Sequence, residues 1–196
     1  MIKDLLWACV VCHKEESLWT DRGKERCENC GAHYWRGDGA RIVVEMKDGT
    51  KEERRAGEWI SALPPVKPGG SAKCALSIAN GDVPIYAYRE YFGRYEKFGP
   101  AHLGMLHLDA DRLWFEYNEK LEDTADLNIP LLDLTAIQLS SSTLQIKARG
   151  KPVMTIRFAQ SSPKLWDEKL QLAVQSAWTR AGRGTIVEYQ PRIVGR

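Results

Sequence analysis

Four of the five cysteines form two pairs, Cys9-Val-Val-Cys12 and Cys27-Glu-Asn-Cys30, with fourteen residues between them. A two-residue gap lets both sulfurs of a pair turn toward one ion, and two such pairs complete a tetrahedron of thiolates around Zn2+. Gly31, directly after the second pair, permits the tight backbone turn that such a loop requires. The expected ligands are therefore Cys9, Cys12, Cys27 and Cys30. A closed shell of four thiolates leaves no coordination position for water or substrate, so the chemistry it implies is folding rather than catalysis. Two disulfides, or iron in place of zinc, use the same thiols, and spacing alone does not select the metal. The chain opens Met1-Ile-Lys-Asp4 without a secretory signal, which points to a reducing, cytoplasmic setting. His13 and His33 lie near the pairs and read as bystanders, because four thiolates already suffice.

Other candidate chemistry is thin. His107, Asp109 and Asp111 would share a face of a continuing strand, but the two aspartates fall where a hairpin must turn, and they read as turn residues. His33 to Asp38 spells a His-x4-Asp pattern of the kind found in glycerolipid acyltransferases, without the domain that surrounds it there. No Gly-x-Ser-x-Gly elbow and no phosphate-loop signature occurs, and no catalytic residue is assigned. Basic groups gather at two places instead: Arg89, Arg94 and Lys97, and Lys147, Arg149 and Lys151. Cys74 stands apart beside Ala75, Leu76 and Ile78, as a buried thiol does.

The elements that must position these groups are mostly strands. Ser17 to Thr20 and His33 to Arg36 are aromatic-rich short strands, with Trp19 and Trp35 expected to cover the zinc. Arg41 to Met46 and Lys51 to Arg54 read as a hairpin, with Asp48-Gly49 supplying a type I′ turn. Gly57 to Ile60 begins one helical turn, and Leu63-Pro-Pro-Val-Lys-Pro-Gly-Gly-Ser71 breaks every regular pattern. Beyond it, seven strands are expected: 82–91, 101–108, 112–117, 128–134, 136–140, 143–148 and 153–158. Ser162 and Pro163 then open a helix whose apolar stripe is Trp166, Leu170, Ala173 and Ala177, widened by Val174 and Trp178, and which Gly182 or Gly184 ends. The expected organisation is a zinc ribbon with a hairpin extension over 1–63, a linker over 64–73, a barrel over 74–184, and a tail over 185–196 that docks back or leads to a further domain. The fold class is mainly β (α+β), a zinc ribbon plus a seven-stranded barrel capped by a C-terminal α-helix.

Composition narrows the function classes. Hydrophobic residues make up 43% and charged residues 28% of the 196, ordinary for a globular chain, and no apolar run approaches the ~20 residues of a membrane span. The net charge of +2 hides an uneven distribution: residues 147–196 carry ten basic and three acidic groups, whereas residues 1–38 carry six and seven. The C-terminal part can be drawn to anionic surfaces, while the ribbon carries one more acid than base, opposing phosphate contact.

The stretch Gly104-Met-Leu-His-Leu-Asp-Ala-Asp-Arg-Leu-Trp-Phe115 resembles the Gly-x-Leu-x-Leu-Thr-x-x-Arg-Leu-x-Phe signature of GRAM domains, members of the pleckstrin-homology (PH) superfold, with Asp109 at the Thr position. Ile129 to Ile137 is similar to the following strand pair of that family, and Ile156-Arg-Phe158 to its last strand, so that the resemblance covers about residues 80 to 181. It implies a PH-like barrel that binds phosphoinositides, other anionic lipids, or proteins, with Arg89, Arg94, Lys97, Lys147, Arg149 and Lys151 as the residues available to an anionic headgroup. Trp7-Ala-Cys9-Val-Val-Cys12 resembles the Trp-x-Cys-x-x-Cys opening of zinc fingers of the Ran-binding-protein type, which bind ubiquitin or single-stranded RNA; that family has ten residues between pairs and this chain fourteen. The expectation is a non-catalytic adaptor or targeting module, cytoplasmic and peripheral at a membrane surface. A protein-interaction module, ubiquitin-binding included, is the alternative, and nucleic-acid binding through the ribbon ranks below both.

Overall fold

Alternating burial, rather than long apolar runs, marks most of this chain, and it forms antiparallel strands throughout. The computed structural model describes residues 1–21, 23–87, 90–119, 127–140 and 142–183. These form two compact units, one of Met1–Lys67 with Gln160–Trp166, the other of Pro68–Ala159 with Asp167–Arg196.

The first unit is a five-stranded sheet in sequence order: β1 (Leu18–Asp21), β2 (Lys24–Cys27), β3 (His33–Arg36), β4 (Arg41–Glu45) and β5 (Lys51–Arg55). One face supplies Leu18, Cys27, Tyr34, Ile42 and Val44 to a core completed by Leu6, Trp7, Trp59 and Leu165. Trp59 comes from the short helix α1 (Ala56–Ser61), and its indole N–H donates to Ile42 O at 2.9 Å. Glu25 is buried too, because its carboxylate accepts from the backbone N–H groups of Ile2 and Lys3 at 2.9 and 3.1 Å, which offsets the cost of taking a polar group out of water.

The β4–β5 connection departs from the type I′ expectation. Gly49 N–H donates to Met46 O (2.9 Å), Met46 N–H to Thr50 O (2.8 Å), and in this loop only Gly49 has a positive φ, +85°. The loop is thus Lys47-Asp48-Gly49, a type I turn closed by a glycine bulge, in which one residue rather than two must be left-handed. Asp48 remains free to accept from Thr50 N–H at 2.9 Å, and that bond holds its carboxyl below the ordinary value.

The second unit is an eight-stranded, nearly closed barrel-like sheet: β6 (Gly70–Ala87), β7 (Glu90–Phe98), β8 (His102–Leu108), β9 (Arg112–Tyr117), β10 (Leu127–Pro130), β11 (Leu134–Leu139), β12 (Leu144–Ala148) and β13 (Met154–Phe158). The order is β10-β9-β8-β6-β13-β12-β11, with β7 paired to β6 outside that path. Seven strands were expected and, among the described residues, eight form, because the run read as one strand over 82–91 divides between the end of β6 and the start of β7. β6 also begins earlier than expected, at Gly70 inside the stretch read as irregular, where Ala72, Cys74 and Leu76 point inward at period two. Small residues made that alternation faint in the sequence.

The helix α2 (Pro163–Arg180) starts where Ser162 Oγ stands 3.5 Å from Leu165 N–H, and Gly182, at φ +66°, follows its end. The stripe is buried as its spacing predicts, at Trp166, Leu170, Ala173, Val174 and Ala177. In the second unit the helix end is tied down by Arg180, which bonds Asp111 Oδ1 at 2.8 Å and Ala110 O. Among the described residues no helix is long and apolar enough to cross a membrane. Gly184 and the expected tail over 185–196 lie outside the described residues.

Candidate metal centre

Each cysteine pair sits in a loop built the same way. The N–H of His13 donates to Cys9 O (2.8 Å) and that of Gly31 to Cys27 O (2.9 Å); the N–H of Cys9 donates to Lys14 O (3.1 Å) and that of Cys27 to Ala32 O (2.8 Å). The residue after each second cysteine is left-handed, Gly31 at φ +78° and His13 at φ +59°. Gly31 was legible as the turn residue, but its counterpart His13 was not, because a β-carbon in that region is uncommon although tolerated. His13 therefore has a conformational role beside the site.

The two loops bring all four sulfurs within 4.8 Å of one another. Cys9 Sγ lies 3.5 Å from Cys30 Sγ, and Cys12 Sγ lies 3.7 Å from Cys27 Sγ. A metal–sulfur bond of about 2.3 Å in a tetrahedron places sulfurs about 3.8 Å apart, so the cluster has the dimensions of a metal site. Disulfides are not formed, since these separations far exceed the ~2.05 Å of an S–S bond. Each close pair joins one cysteine from each loop, as one tetrahedron shared between two loops requires.

The shell behind the sulfurs is made of donors. Tyr34 OH lies 2.9 Å from Cys9 Sγ, which also accepts from the N–H groups of Val11 (3.4 Å) and Cys12 (3.5 Å). Asn29 Nδ2 donates to Cys12 Sγ at 3.3 Å, and Ser17 Oγ stands 3.3 Å from Cys27 Sγ. Such partners orient ligands and spread the negative charge of thiolates. Burial pushes the Cys9 thiol up, and pushes Cys30 up to about 12. Burial also raises Cys12, but the hydrogen bonds from Asn29 and the Lys14 backbone outweigh it and bring this thiol down to about 7. Tyr34 is pushed up, first by burial and then by Cys9, so it remains a donor.

The expected aromatic cover is corrected here. Trp19 is 49% and Trp35 38% exposed, both on the solvent face of the sheet, whereas Tyr34 between them in parity is 2% exposed and reaches the sulfur. Strand alternation had marked the choice, since of His33, Tyr34 and Trp35 only one parity can face a core that holds Cys27. His13 and His33 are exposed and outside the sulfur cluster.

The remaining candidates lie in the second unit. Lys147, at the end of β12, and Arg149 and Lys151, in the turn to β13, are all exposed, and among the described residues none has an ion-pair partner. The turn is held by Lys151 N–H to Ala148 O (3.1 Å) and Arg149 N–H to Asp133 O (2.8 Å). Of the other three groups, Arg89 lies outside the described residues, Arg94 pairs with Pro84 in the backbone register, and Lys97 is exposed near the far end of β7. At about 3.3 Å of rise per residue, Lys97 is on the order of 10 Å along the strand from Arg94. His107 accepts or donates through Nδ1 to Ser71 Oγ at 2.7 Å and stacks on Trp114 at 4.9 Å. Asp109 Oδ1 accepts from the N–H groups of Asp111 and Arg112, each at 2.8 Å, and so shapes the β8–β9 turn. Cys74 is buried at 3% exposure. The chain matches no protein-family model and no curated protein.

Proposed function

We propose that this chain is a non-catalytic adaptor: a zinc ribbon, in which Cys9, Cys12, Cys27 and Cys30 hold a structural Zn2+, followed by a GRAM-like domain of the PH superfold that binds anionic phospholipid headgroups. The zinc reading is supported by the sulfur separations and by a donor set of thiolates alone, soft ligands that suit this ion. When bound, the ion cross-links the two loops; Tyr34, Asn29 and Ser17 hold the ligands in place. The GRAM reading draws support from its own motif, since Gly104, Leu106, Leu108, Leu113 and Phe115 are all buried. The ribbon takes the unit of Met1–Lys67 with Gln160–Trp166 rather than 1–63, and the barrel takes the unit that begins at Pro68, since β6 starts at Gly70 inside the expected linker over 64–73.

The observation that carries the lipid reading is the β12–β13 hairpin, whose end presents Lys147, Arg149 and Lys151 to solvent with no carboxylate partner among the described residues. Cations without partners keep their full attraction for phosphate, at about 1 kcal/mol each near an anionic surface. Three together give roughly a hundredfold preference for anionic over neutral membranes, reversible and sensitive to salt. Such a protein works in the cytoplasm, at a membrane surface. Flotation with liposomes tests this directly. The zinc-loaded chain should float with anionic vesicles at low salt, less at physiological salt, and not with neutral ones, and a Lys147→Ala, Arg149→Ala, Lys151→Ala variant should stay at the bottom of the gradient. Equal flotation of the variant, or none by the parent, rejects this reading.

A further inference from the structure

The solvent face of the five-stranded sheet of the first unit carries two exposed indole rings among cations. Across the sheet, the register runs Trp19, Arg26, His33, Glu45, Lys51 in one row. Alternation adds Lys24 and Trp35 to the same face, and at its end Arg41 stands directly opposite Arg55. Among the described residues, Lys24, Arg26, Arg41 and Arg55 have no ion-pair partner, and only Lys51 is paired, to Glu45 at 3.4 Å. Glu53 is the other acid of this face among the residues whose side chains are described, and Asp21 pairs with Lys24 in the backbone register.

We infer that this face binds single-stranded nucleic acid, with Trp19 and Trp35 as stacking platforms for bases and Arg26, Arg41 and Arg55 as phosphate contacts. Exposed rings on an open sheet, interleaved with basic groups, supply the two components of sequence-tolerant single-strand binding. The tryptophans lie on β1 and β3, about 10 Å apart across the sheet, with Arg26 on the strand between. Lys51 Nζ lies 5.5 Å from the Trp35 ring centroid; a base arriving there displaces the ammonium toward its own phosphate. Arg41 opposite Arg55 is a second indication, because like charges facing across strands destabilise a sheet unless an anion comes between them. The excess of acid over base in residues 1–38 does not oppose this. Glu25 is buried under the chain start, and Glu15, Glu16 and Glu28 flank the cysteine loops rather than this face.

The test is fluorescence anisotropy of the full, zinc-loaded chain with labelled single strands of about 12 nucleotides, RNA and DNA in separate arms, beside a duplex of the same sequence. Binding should favour the single strands and quench tryptophan emission. Trp35→Ala and Trp19→Ala should each weaken it about tenfold, while Trp35→Phe, which keeps a ring, should not. Arg41→Ala with Arg55→Ala should lower the slope of log affinity against log salt by roughly 1.4, the loss of two phosphate contacts. These side chains are exposed, so circular dichroism should find each variant folded. Absence of binding at low salt, a duplex bound as tightly as the single strand, or an unchanged affinity in the Trp19→Ala, Trp35→Ala double variant would each overturn the inference. Loss only with the Lys147, Arg149, Lys151 substitutions would also overturn it, by moving the contact to the second unit.

Discussion

Cys12 and Cys74 show how far one residue type can be driven apart by its surroundings. Cys12 is brought down to about 7 by donors around its sulfur, and Cys74, inside the barrel-like sheet, is pushed by burial from the ordinary 9.0 up to about 12. In the metal-free protein, whose first unit loses its order, a disulfide exchange reagent at pH 8 should therefore modify the four thiols of that unit rapidly and leave Cys74 untouched until denaturant is added, because the thiolate is the attacking species. A count of five rapid thiols under native conditions would refute this. The linkage for Cys74 has the opposite sign to that of a paired carboxylate. Its folded value lies above its unfolded one, so the stability it lends is present below about pH 9 and is lost as pH rises toward 12. A Cys74→Ala variant should show a shallower loss of second-unit stability over that window. Of these residues, the four ligands were legible because two-residue spacing is itself the geometry of a chelate. Tyr34 could be read only from the inward parity of β3, and Asn29 and Ser17 not at all, since both lie outside the strands and no spacing rule encodes a hydrogen bond from a loop side chain to sulfur.

Elements were legible where one face is strongly apolar and the ends are punctuated. The β8–β9 hairpin and α2 meet that condition, with Asp109 and Ser162 marking the turn and the start, while of the β4–β5 hairpin only β4 does, and β5, Lys51-Glu-Glu-Arg-Arg55, was legible from Asp48-Gly49 alone. The β6–β7 pair does not, because Gly69-Gly70 looks like a break and Ala72 and Cys74 are too small to announce a strand. Gly104 ties these elements together. A β-carbon there would lie 2.1 Å from Glu116 O and 2.5 Å from the Phe115 ring, so the β8–β9 pair closes over a position where only hydrogen fits. Gly104→Ala should then displace Phe115 or the β9 backbone at a cost of about 1–3 kcal/mol, the usual penalty for overpacking. Urea denaturation followed through the second unit should register it as a lower midpoint with an unchanged slope. Gly150→Ala, with a positive φ of +69° but nothing within 4 Å of its added carbon, separates crowding from backbone strain and should cost less. Equal midpoints for Gly104→Ala and the parent would show that the neighbours yield freely.

At the scale of the whole molecule, the thiolate cluster belongs to one unit only. That unit is small, roughly seventy residues, and at this size an apolar core alone rarely supplies more than about 3–5 kcal/mol. A structural zinc contributes about 10–16 kcal/mol in apparent terms near neutral pH, so the first unit should be folded with the metal and unfolded without it. The segment Gln160–Trp166 is part of that unit although it lies some hundred residues further along the chain. Ser162 Oγ donates to Asp4 O at 2.8 Å, Ser161 Oγ donates to Glu16, and Leu165 is in the core with Trp7 and Tyr34. Hydrogen exchange after treatment with a strong chelator should consequently expose β2, β3 and β4 together with amides 160–166, while β8, β9, β12 and β13 keep their protection. A Cys27→Ser, Cys30→Ser variant should reproduce the pattern without chelator and bind no zinc tightly. If amides 160–166 stayed protected while β3 exchanged, the segment would owe its order to the second unit. If β3 itself stayed protected, packing rather than the cysteine cluster would be what holds the sheet, and the four thiols would be free for some chemistry other than folding.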